Sequence, residues 1–553
     1  MNSQIVNNVP SPPPPSALKA QRPEYVKIRY TNGVAGGCGF VKQKIPFFIT
    51  AFLEGMAVLV IELAGARALA PYFGTSLYVW TAQITATLLF LALGYGLGGR
   101  LSRRELPLAL PSVFLGAGVW LLLFPFWRVQ VLGAAAAAAG IAAGSFLAGS
   151  FLYGPPLLCM GAVSPLLIQR LQRGAYGGSA AGGIFFTNTL GGLAGGWLCA
   201  LALVPHFRLG MVLGGTGAAL VVLASAWSWR ERNVKYAAVA TPLAALLLLA
   251  AAPGAKTHFN AGGLQLDLLY SQPAPSGLIQ VLKVTGGGSL TLLLDGVIQG
   301  GMHVESGLPV YNNLEYMANL SWRFHPRAKT ALLLGLGSGA LARQLHARGM
   351  RVEAVEIEPE IIKVSRKFFR LPAEVTVHNT DARTFINSER PGYDLILVNV
   401  FAGEAIPWHL MTRESLVRMK ALLNPGGRLV VSTVTSAPGT SPGLELLESG
   451  LCEVFGSAMV FTKKAEGTGG QPVNACLIAG ENLKINDGRG YPGRILPELE
   501  ADCRETAATG RPARHTRAPS TDDLGSLDYE DAALRLEFRK SVMAMLGPEL
   551  LGS

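Results

Sequence analysis

Apolar residues fill the first 250 positions in long blocks and then give way to short runs broken by turn residues. The blocks 46–70, 78–99, 107–127, about 140–167, 180–204, 208–228 and 236–252 approach or exceed the roughly 20 residues a helix needs to cross a hydrocarbon core. They predict a multi-pass α-helical membrane domain over 45–253, with about seven helices. The stretch 131–167 is long, and Gly154-Pro155-Pro156 interrupts it. Its Ala-rich start reads either as an interfacial segment or as a helix of its own. Residues 1–44 carry a proline run, Pro12 to Pro15, and scattered Lys and Arg. They read as a disordered tail and lack the short apolar core and cleavage site of a signal peptide.

From Leu264 the texture changes. Segments 264–270, 278–284 and 289–296 read as short strands, and a helix-like stretch follows at about 306–323. Strands and helices then alternate. Strands are expected at Thr330–Gly337, Val352–Glu358, Glu374–Asp381, Tyr393–Val400 and Arg428–Val434, with helices at Ala340–Arg348, Pro359–Phe369 and Thr412–Leu423. A helix at 443–456 and strands at 458–464 and 473–480 complete the set. Such alternation predicts a doubly wound α/β, Rossmann-like domain whose ligand lies beyond the carboxyl ends of its strands. The expected divisions are a small β lead-in at 254–325, the α/β domain at 326–482, and a C-terminal tail with a helix at 483–553.

Charge follows the same division. Residues 1–253 hold 17 Lys+Arg and 5 Asp+Glu, against 30 and 31 in the remainder. The excess of +11 therefore belongs to the apolar half. A nucleic-acid footprint needs clustered Lys and Arg on a soluble face, so nucleic acid is not an expected partner. Six cysteines show neither CxxC nor metal-ligand spacing, so no metal and no disulfide framework are expected. In the apolar half, Arg100, Arg103 and Arg104 follow the second block, Arg170 and Arg173 the fourth, and Arg230, Arg232 and Lys235 the sixth. Positive loops stay in the cytoplasm, which puts the N-terminus inside. Seven helices would then put the soluble half outside. Gly191, Gly192, Gly195 and Gly196 suit close helix packing. Glu54, Glu62 and Arg67 are ionisable groups in the first block, where such groups face a bundle interior or serve function. A Glu62–Arg67 pair and a snorkelling Arg67 are both open readings.

Gly335-Leu336-Gly337-Ser338-Gly339 ends the first strand of the alternating series and opens a helix. Glycines there let a ligand lie against the backbone and the helix N-terminus. Glu356 ends the second strand, where a carboxylate accepts from ribose hydroxyls. Asp381 ends the third, in reach of an adenine edge, and Asn424-Pro425-Gly426-Gly427 makes a turn before the fifth. The acid at the third strand end and that turn favour a class I S-adenosylmethionine-type sheet. A dinucleotide fold competes, because Ala340 completes a GxGxxA pattern.

These residues resemble spermidine synthases, and more closely the bacterial membrane proteins in which a permease-like half is fused to a spermidine-synthase-like half. The likeness includes Ile61-Glu62 with Arg67, Ala70-Pro71-Tyr72-Phe73-Gly74, the loop from Gly94 to Arg104, Gly161-Ala162-Val163-Ser164-Pro165 and Asn188-Thr189-Leu190-Gly191. It continues in Leu294-Asp295-Gly296-Val297-Ile298-Gln299, the Gly335–Gly339 loop, Val355–Glu358, the Asn424–Gly427 turn and Thr521-Asp522-Asp523. The resemblance implies S-adenosylmethionine or its decarboxylated form as donor, held by Gly335, Gly337, Ser338, Gly339, Glu356 and Asp381. It implies Gln299 and Tyr311 on the acceptor side, and a polyamine, membrane lipid and a second copy of the chain as partners. Three departures stand out. Ser338 replaces the loop acid that pairs with the donor's amine, and Asn312-Asn313 follow Tyr311 where the family has polar or acidic residues. Asn399 replaces the family's base. Glu404 is a candidate replacement base, and His409 lies in the same loop. Two expectations follow: a membrane-bound transferase of the spermidine synthase type in a bacterial cell membrane, or a non-catalytic nucleoside or polyamine sensor attached to a transporter-like bundle.

Overall fold

The computed structural model describes residues 37–104, 106–172, 177–232, 257–261, 263–286, 288–388, 392–401, 406–436, 441–462, 471–486, 497–523 and 527–546. Its apolar half contains helices α1 (Gly37–Phe73), α2 (Leu77–Arg103), α3 (Ala109–Ala138), α4 (Ile141–Leu152), α5 (Gly154–Gln172), α6 (Gly177–Leu198) and α7 (Leu209–Arg230). Between α6 and α7 the helix continues as a π-helical turn, Cys199–Leu203, and a last turn, Val204–His206. Among the described residues, five helices are long and apolar enough to cross a membrane, and six spans result if the pair α4 and α5, bent by 59°, counts as one. The bend sits at Tyr153–Gly154, directly before Pro155 and Pro156, where a missing amide breaks the helical ladder. The Ala-rich stretch belongs to α3, which runs unbroken to Ala138. It is not a helix of its own; alanine, the best helix former, carries α3 through it. The expected seventh block, 236–252, lies outside the described residues, as does the tail before Gly37.

Small residues set the spacing in this half. A Cβ on Gly191 would lie 1.9 Å from the Phe52 carbonyl oxygen, and one on Gly195 2.5 Å from that of Met56. These two glycines bring α6 against α1. Gly196 faces open space, so it takes no part in that contact.

The soluble half has two sheets. Strands β1 (His258–Ala261), β2 (Leu264–Ala274), β3 (Gly277–Thr285), β4 (Ser289–Leu294) and β5 (Val297–His303) form an antiparallel meander. The β4–β5 connection is Asp295-Gly296, both with positive φ (47° and 74°), the conformation a type I′ hairpin turn demands. Helix α8 (Asn312–Phe324) leads into the second sheet, built from β6 (Thr330–Leu334), β7 (Arg351–Glu356), β8 (Thr376–Asn379), β9 (Tyr393–Val398), β10 (Leu423–Ser436), β11 (Ala458–Thr462), β12 (Pro472–Ala479) and β13 (Arg511–Pro512). Its order is β13-β11-β12-β10-β9-β6-β7-β8. Strands β6 to β10 run parallel, and β12 is antiparallel to β10 and β11. Leu332, Leu333 and Leu334 of β6 and Leu395, Ile396, Leu397 and Val398 of β9 are fully buried, as strands covered on both faces require. Chain order reverses between β6 and β9. That switch point is where an open α/β sheet binds its ligand.

Helices α9 (Ala340–Ala347), α10 (Pro359–Phe368), α11 (Ala382–Ile386), α12 (Arg413–Leu422) and α13 (Pro442–Phe455) connect these strands. The expected tail is more than a tail. Helix α14 (Pro497–Ala508) packs on α8, β13 pairs with β11, and the final helices are α15 (Leu527–Glu530) and α16 (Ala532–Leu546). Arg383 pairs with Asp522 at 2.6 Å, which ties the Thr521–Asp523 motif to α11.

Candidate functional site

At the switch point lies a cavity of about 890 Å³, within the usual range for small-molecule sites. Three groups of residues line it. The first is the strand-end set Gly335, Gly337, Glu356, Glu358, Asp381 and Asn399. The second is Gln299, Tyr311 and Asn313, with Gln471 and Asn474 at β12. The third includes Asp295, Thr75 from the α1–α2 connection, and Arg539 and Met545 from α16.

The Gly loop is shaped by the chain around it. Gly335 (φ 86°) and Gly337 (φ 54°) occupy left-handed backbone, which favours glycine. A Cβ on Gly335 would meet the Asn399 carbonyl oxygen at 2.4 Å, and one on Gly337 the Gln299 oxygen at 2.7 Å. The loop therefore lies between the tips of β9 and β5, both of which line the cavity. Glu356 is buried and accepts from the Leu336 amide at 3.2 Å and the Glu358 amide at 3.0 Å. Burial pushes its carboxyl above the ordinary glutamate value, and the amides of Glu358, Leu336 and Gly337 pull back. Only the ionised form offers every lone pair to hydroxyl donors. Nucleoside binding should therefore weaken on acidification, starting above the ordinary value of about 4.3. A titration of affinity against pH checks this; an onset at or below that value would contradict it.

Asp381 stands two residues past the end of β8 and caps α11, accepting from the Thr384 amide at 2.8 Å. It lines the cavity, while Ser338 and Gly339 do not stand among its lining residues. The Ser338 side chain is buried against Gly300, with its hydroxyl unpartnered among the described residues. Tyr311 shares a hydrogen bond with Thr291 at 3.0 Å, and burial pushes its phenol upward. Gln299 and Asn399 both line the cavity, and the Gln299 Nε2 donor and Asn399 Oδ1 acceptor are buried without a described partner. Orphaned buried polar atoms are costly, so a donor and an acceptor left over in one cavity fit a polar ligand. Glu404 lies outside the described residues, whereas His409 and Pro407 of its loop line the cavity. Among the described residues no group of three or more His, Cys, Asp or Glu is arranged to hold a metal.

The pattern did not single out Glu358, Asp295 or Arg539 as site residues. Glu358 is buried, caps α10 and accepts from the Ser276 amide and hydroxyl at 3.1 and 2.6 Å, which ties the meander to the larger sheet. Its place in Val355–Glu358 was the available signal. Asp295 sits in the quoted hairpin motif and accepts from the Leu278 amide at 2.8 Å. Arg67 does not pair with Glu62. It reaches out of α1 to Asp295 at 3.5 Å and donates to the Ala274 carbonyl at 3.1 Å and to that of Pro275. Burial raises the Asp295 carboxyl, opposed first by Arg67. Breaking a fully buried pair costs about 3–5 kcal/mol. These side chains are 24% and 17% exposed, so Arg67→Met is expected to cost about 1–3 kcal/mol, discounted for solvent screening. Thermal melting of detergent-solubilised protein measures the loss. Partial recovery on adding Asp295→Asn identifies the stranded carboxylate as its cause; an unchanged melting point would contradict the pairing.

Residues 311–441 match the family described as the spermine/spermidine synthase domain. The chain is 37% identical over 123 residues to a polyamine aminopropyltransferase from Vibrio vulnificus, covering 21% of this chain and 40% of that protein. It is 27% identical over 312 residues to a polyamine aminopropyltransferase from Mycobacterium tuberculosis, covering 51% and 57%. The chain thus spans about half the length of these curated relatives. Among solved structures, a "probable spermidine synthase" from Corynebacterium glutamicum aligns over 46% of this chain and 95% of its own, at 19% identity and a TM-score of 0.38.

Proposed function

We propose that this chain is a transferase of the spermidine synthase type, carried in the cell membrane, that binds S-adenosylmethionine or its decarboxylated form and acts on an amine. The observation that carries this reading is Glu356. It is a buried carboxylate at the carboxyl end of β7, fixed by the amide of Leu336 in the Gly loop, in the cavity at the switch point. The spermine/spermidine synthase match over 311–441 supports the same reading.

The donor supplies an electrophilic carbon beside a sulfonium. Within the cavity, Glu356 accepts from the ribose hydroxyls and Asp381 from the adenine edge. Gln299 and Asn399 present their unpartnered donor and acceptor to the reacting groups. Such positioning converts a bimolecular displacement into an effectively intramolecular one. The amine nitrogen attacks the carbon beside the sulfonium, the carbon–sulfur bond breaks, and the nitrogen loses a proton. Asn399 orients the nitrogen and cannot take that proton. Of the lining carboxylates, Asp295 pairs with Arg67, Glu358 caps α10, and Glu356 and Asp381 hold the nucleoside, which leaves the amides of Gln299, Asn313, Asn399, Gln471 and Asn474 to meet the acceptor. Amides do not offset desolvation of a dication as carboxylates do, so an acceptor with less charge than a free diamine suits the cavity better.

The reading is tested by competition binding. Methylthioadenosine, S-adenosylmethionine and the decarboxylated donor should displace one another from the full chain, whereas NAD should not. Displacement by NAD, or no binding of any nucleoside by folded protein, overturns it.

A further inference from the structure

The side of the membrane on which the cavity lies can be read from the way the two halves meet. The Arg-rich ends of the helices gather on one face of the bundle. Arg170, in the last turn of α5, donates to the carbonyls of Leu106 and Pro107 beyond α2, at 3.4 and 3.1 Å, and pairs with Glu231 beyond α7 at 3.5 Å. The segments 100–104, 170–173 and 230–235 together hold eight Lys and Arg.

The soluble half docks on the opposite helix ends. Arg67, two turns before the end of α1, holds the Ala274 carbonyl and Asp295. Buried Arg539 donates to the Ala70 carbonyl at 2.6 Å. Thr75, between α1 and α2, lines the cavity itself. The turn Val204–His206 before α7 packs on β2, and α4 packs on α16. The short connections on this face, 74–76, 139–140 and 207–208, hold a single cation, Arg208. With helix-end residues counted on this face as on the other, Arg67, Arg128 and Arg208 stand against the eight, and the excess still marks the Arg-rich face as cytoplasmic.

The chain path agrees. From α1 to α7, with the α4–α5 pair taken as one span, six passes return it to the Arg-rich face at Arg230. The docked meander begins at His258, on the other side. Residues 233–256 join them, and 236–252 contain no charged residue.

We propose that the cavity is extracytoplasmic. It is roofed by the outer ends of α1 and α2 and serves small polar nucleosides and amines met outside the cytoplasm. This does not rest on the transferase reading, because any ligand of the cavity would be met on that side. A cation such as a sulfonium nucleoside does not cross the bilayer unaided, so a donor made inside must be exported before it can be used.

Accessibility in cells expressing the full chain tests the proposal. In a background with the native cysteines replaced, Lys363→Cys and Ser306→Cys place exposed thiols on the soluble half, and Arg104→Cys places one on the Arg-rich face. A membrane-impermeant maleimide should label positions 363 and 306 in intact spheroplasts, and position 104 only after permeabilisation. Labelling of position 104 alone, or labelling of 363 and 306 only after permeabilisation, overturns the proposal. The assay reads side and not chemistry, so a failure of nucleoside binding or transfer would leave its outcome unchanged.

Discussion

Replacing Glu356 with alanine is expected to weaken methylthioadenosine binding by about 100- to 1,000-fold. The estimate follows from hydrogen bonds to a charged acceptor, worth about 1.5–3 kcal/mol each. Two such bonds from ribose hydroxyls amount to about 3–6 kcal/mol, and each 1.4 kcal/mol is a factor of ten. The lower half of that range is the better guide, because water enters the space left by the side chain. Glu356 also accepts from the amides of Leu336 and Glu358, so part of the loss would come from a loosened Gly loop. Glu356→Gln separates the two effects. It keeps one oxygen, loses the charge and sets an NH2 against one of the two backbone amides, so its affinity should fall about tenfold with a smaller drop in melting temperature than in Glu356→Ala. Calorimetric titration of both variants, with circular dichroism to confirm folding, checks this. A loss under fivefold in Glu356→Ala would mean that the ribose is held elsewhere.

The second large effect concerns the proton. Without an ionisable group at Asn399, the attacking amine must lose its proton by another route. With an acceptor amine of ordinary pKa near 10.4, the neutral fraction rises tenfold per pH unit below that value. The rate of transfer should accordingly climb with pH through 9 without a plateau near neutrality. Asn399→Asp places a carboxylate at the end of β9, beside the Gly loop, and should raise the rate at pH 7.5 by about 100-fold, the lower end of what general-base catalysis supplies. It should also flatten the pH profile. Initial rates of methylthioadenosine release at several pH values decide the matter. A bell-shaped wild-type profile centred near 7 would show that another base acts, with His409 the first residue to replace.

Most of the architecture was legible in the residues because two simple periodicities carry it. Leu332–Leu334 and Leu395–Val398 are continuous apolar runs between turn signals, and they form the central strands. The strand β5 was not legible, because Gln299-Gly300-Gly301 has low strand propensity and is held in place by pairing with β4. The first helical turn of 306–323 is absent for a similar reason. Gly307 has a positive φ and Pro309 bridges back to Met302, so the helix waits until Asn312. Spacing puts Glu356 and Asp381 at strand ends, and both line the cavity because the sheet fixes where those ends lie. It could not show that Ser338 turns towards Gly300, because a side chain's direction within a glycine loop depends on tertiary contacts. Arg67 illustrates the same limit. Its neighbours in sequence suggested Glu62, yet its partner is Asp295, 228 positions away in a different half of the chain.

Incubating the purified full chain with decarboxylated S-adenosylmethionine, with and without a panel of amines, and following methylthioadenosine release tests the central claim most directly. Release that requires an amine and disappears in Glu356→Ala is the predicted result. Nucleoside binding without release in the presence of any amine would contradict it and leave a cavity that senses rather than transfers.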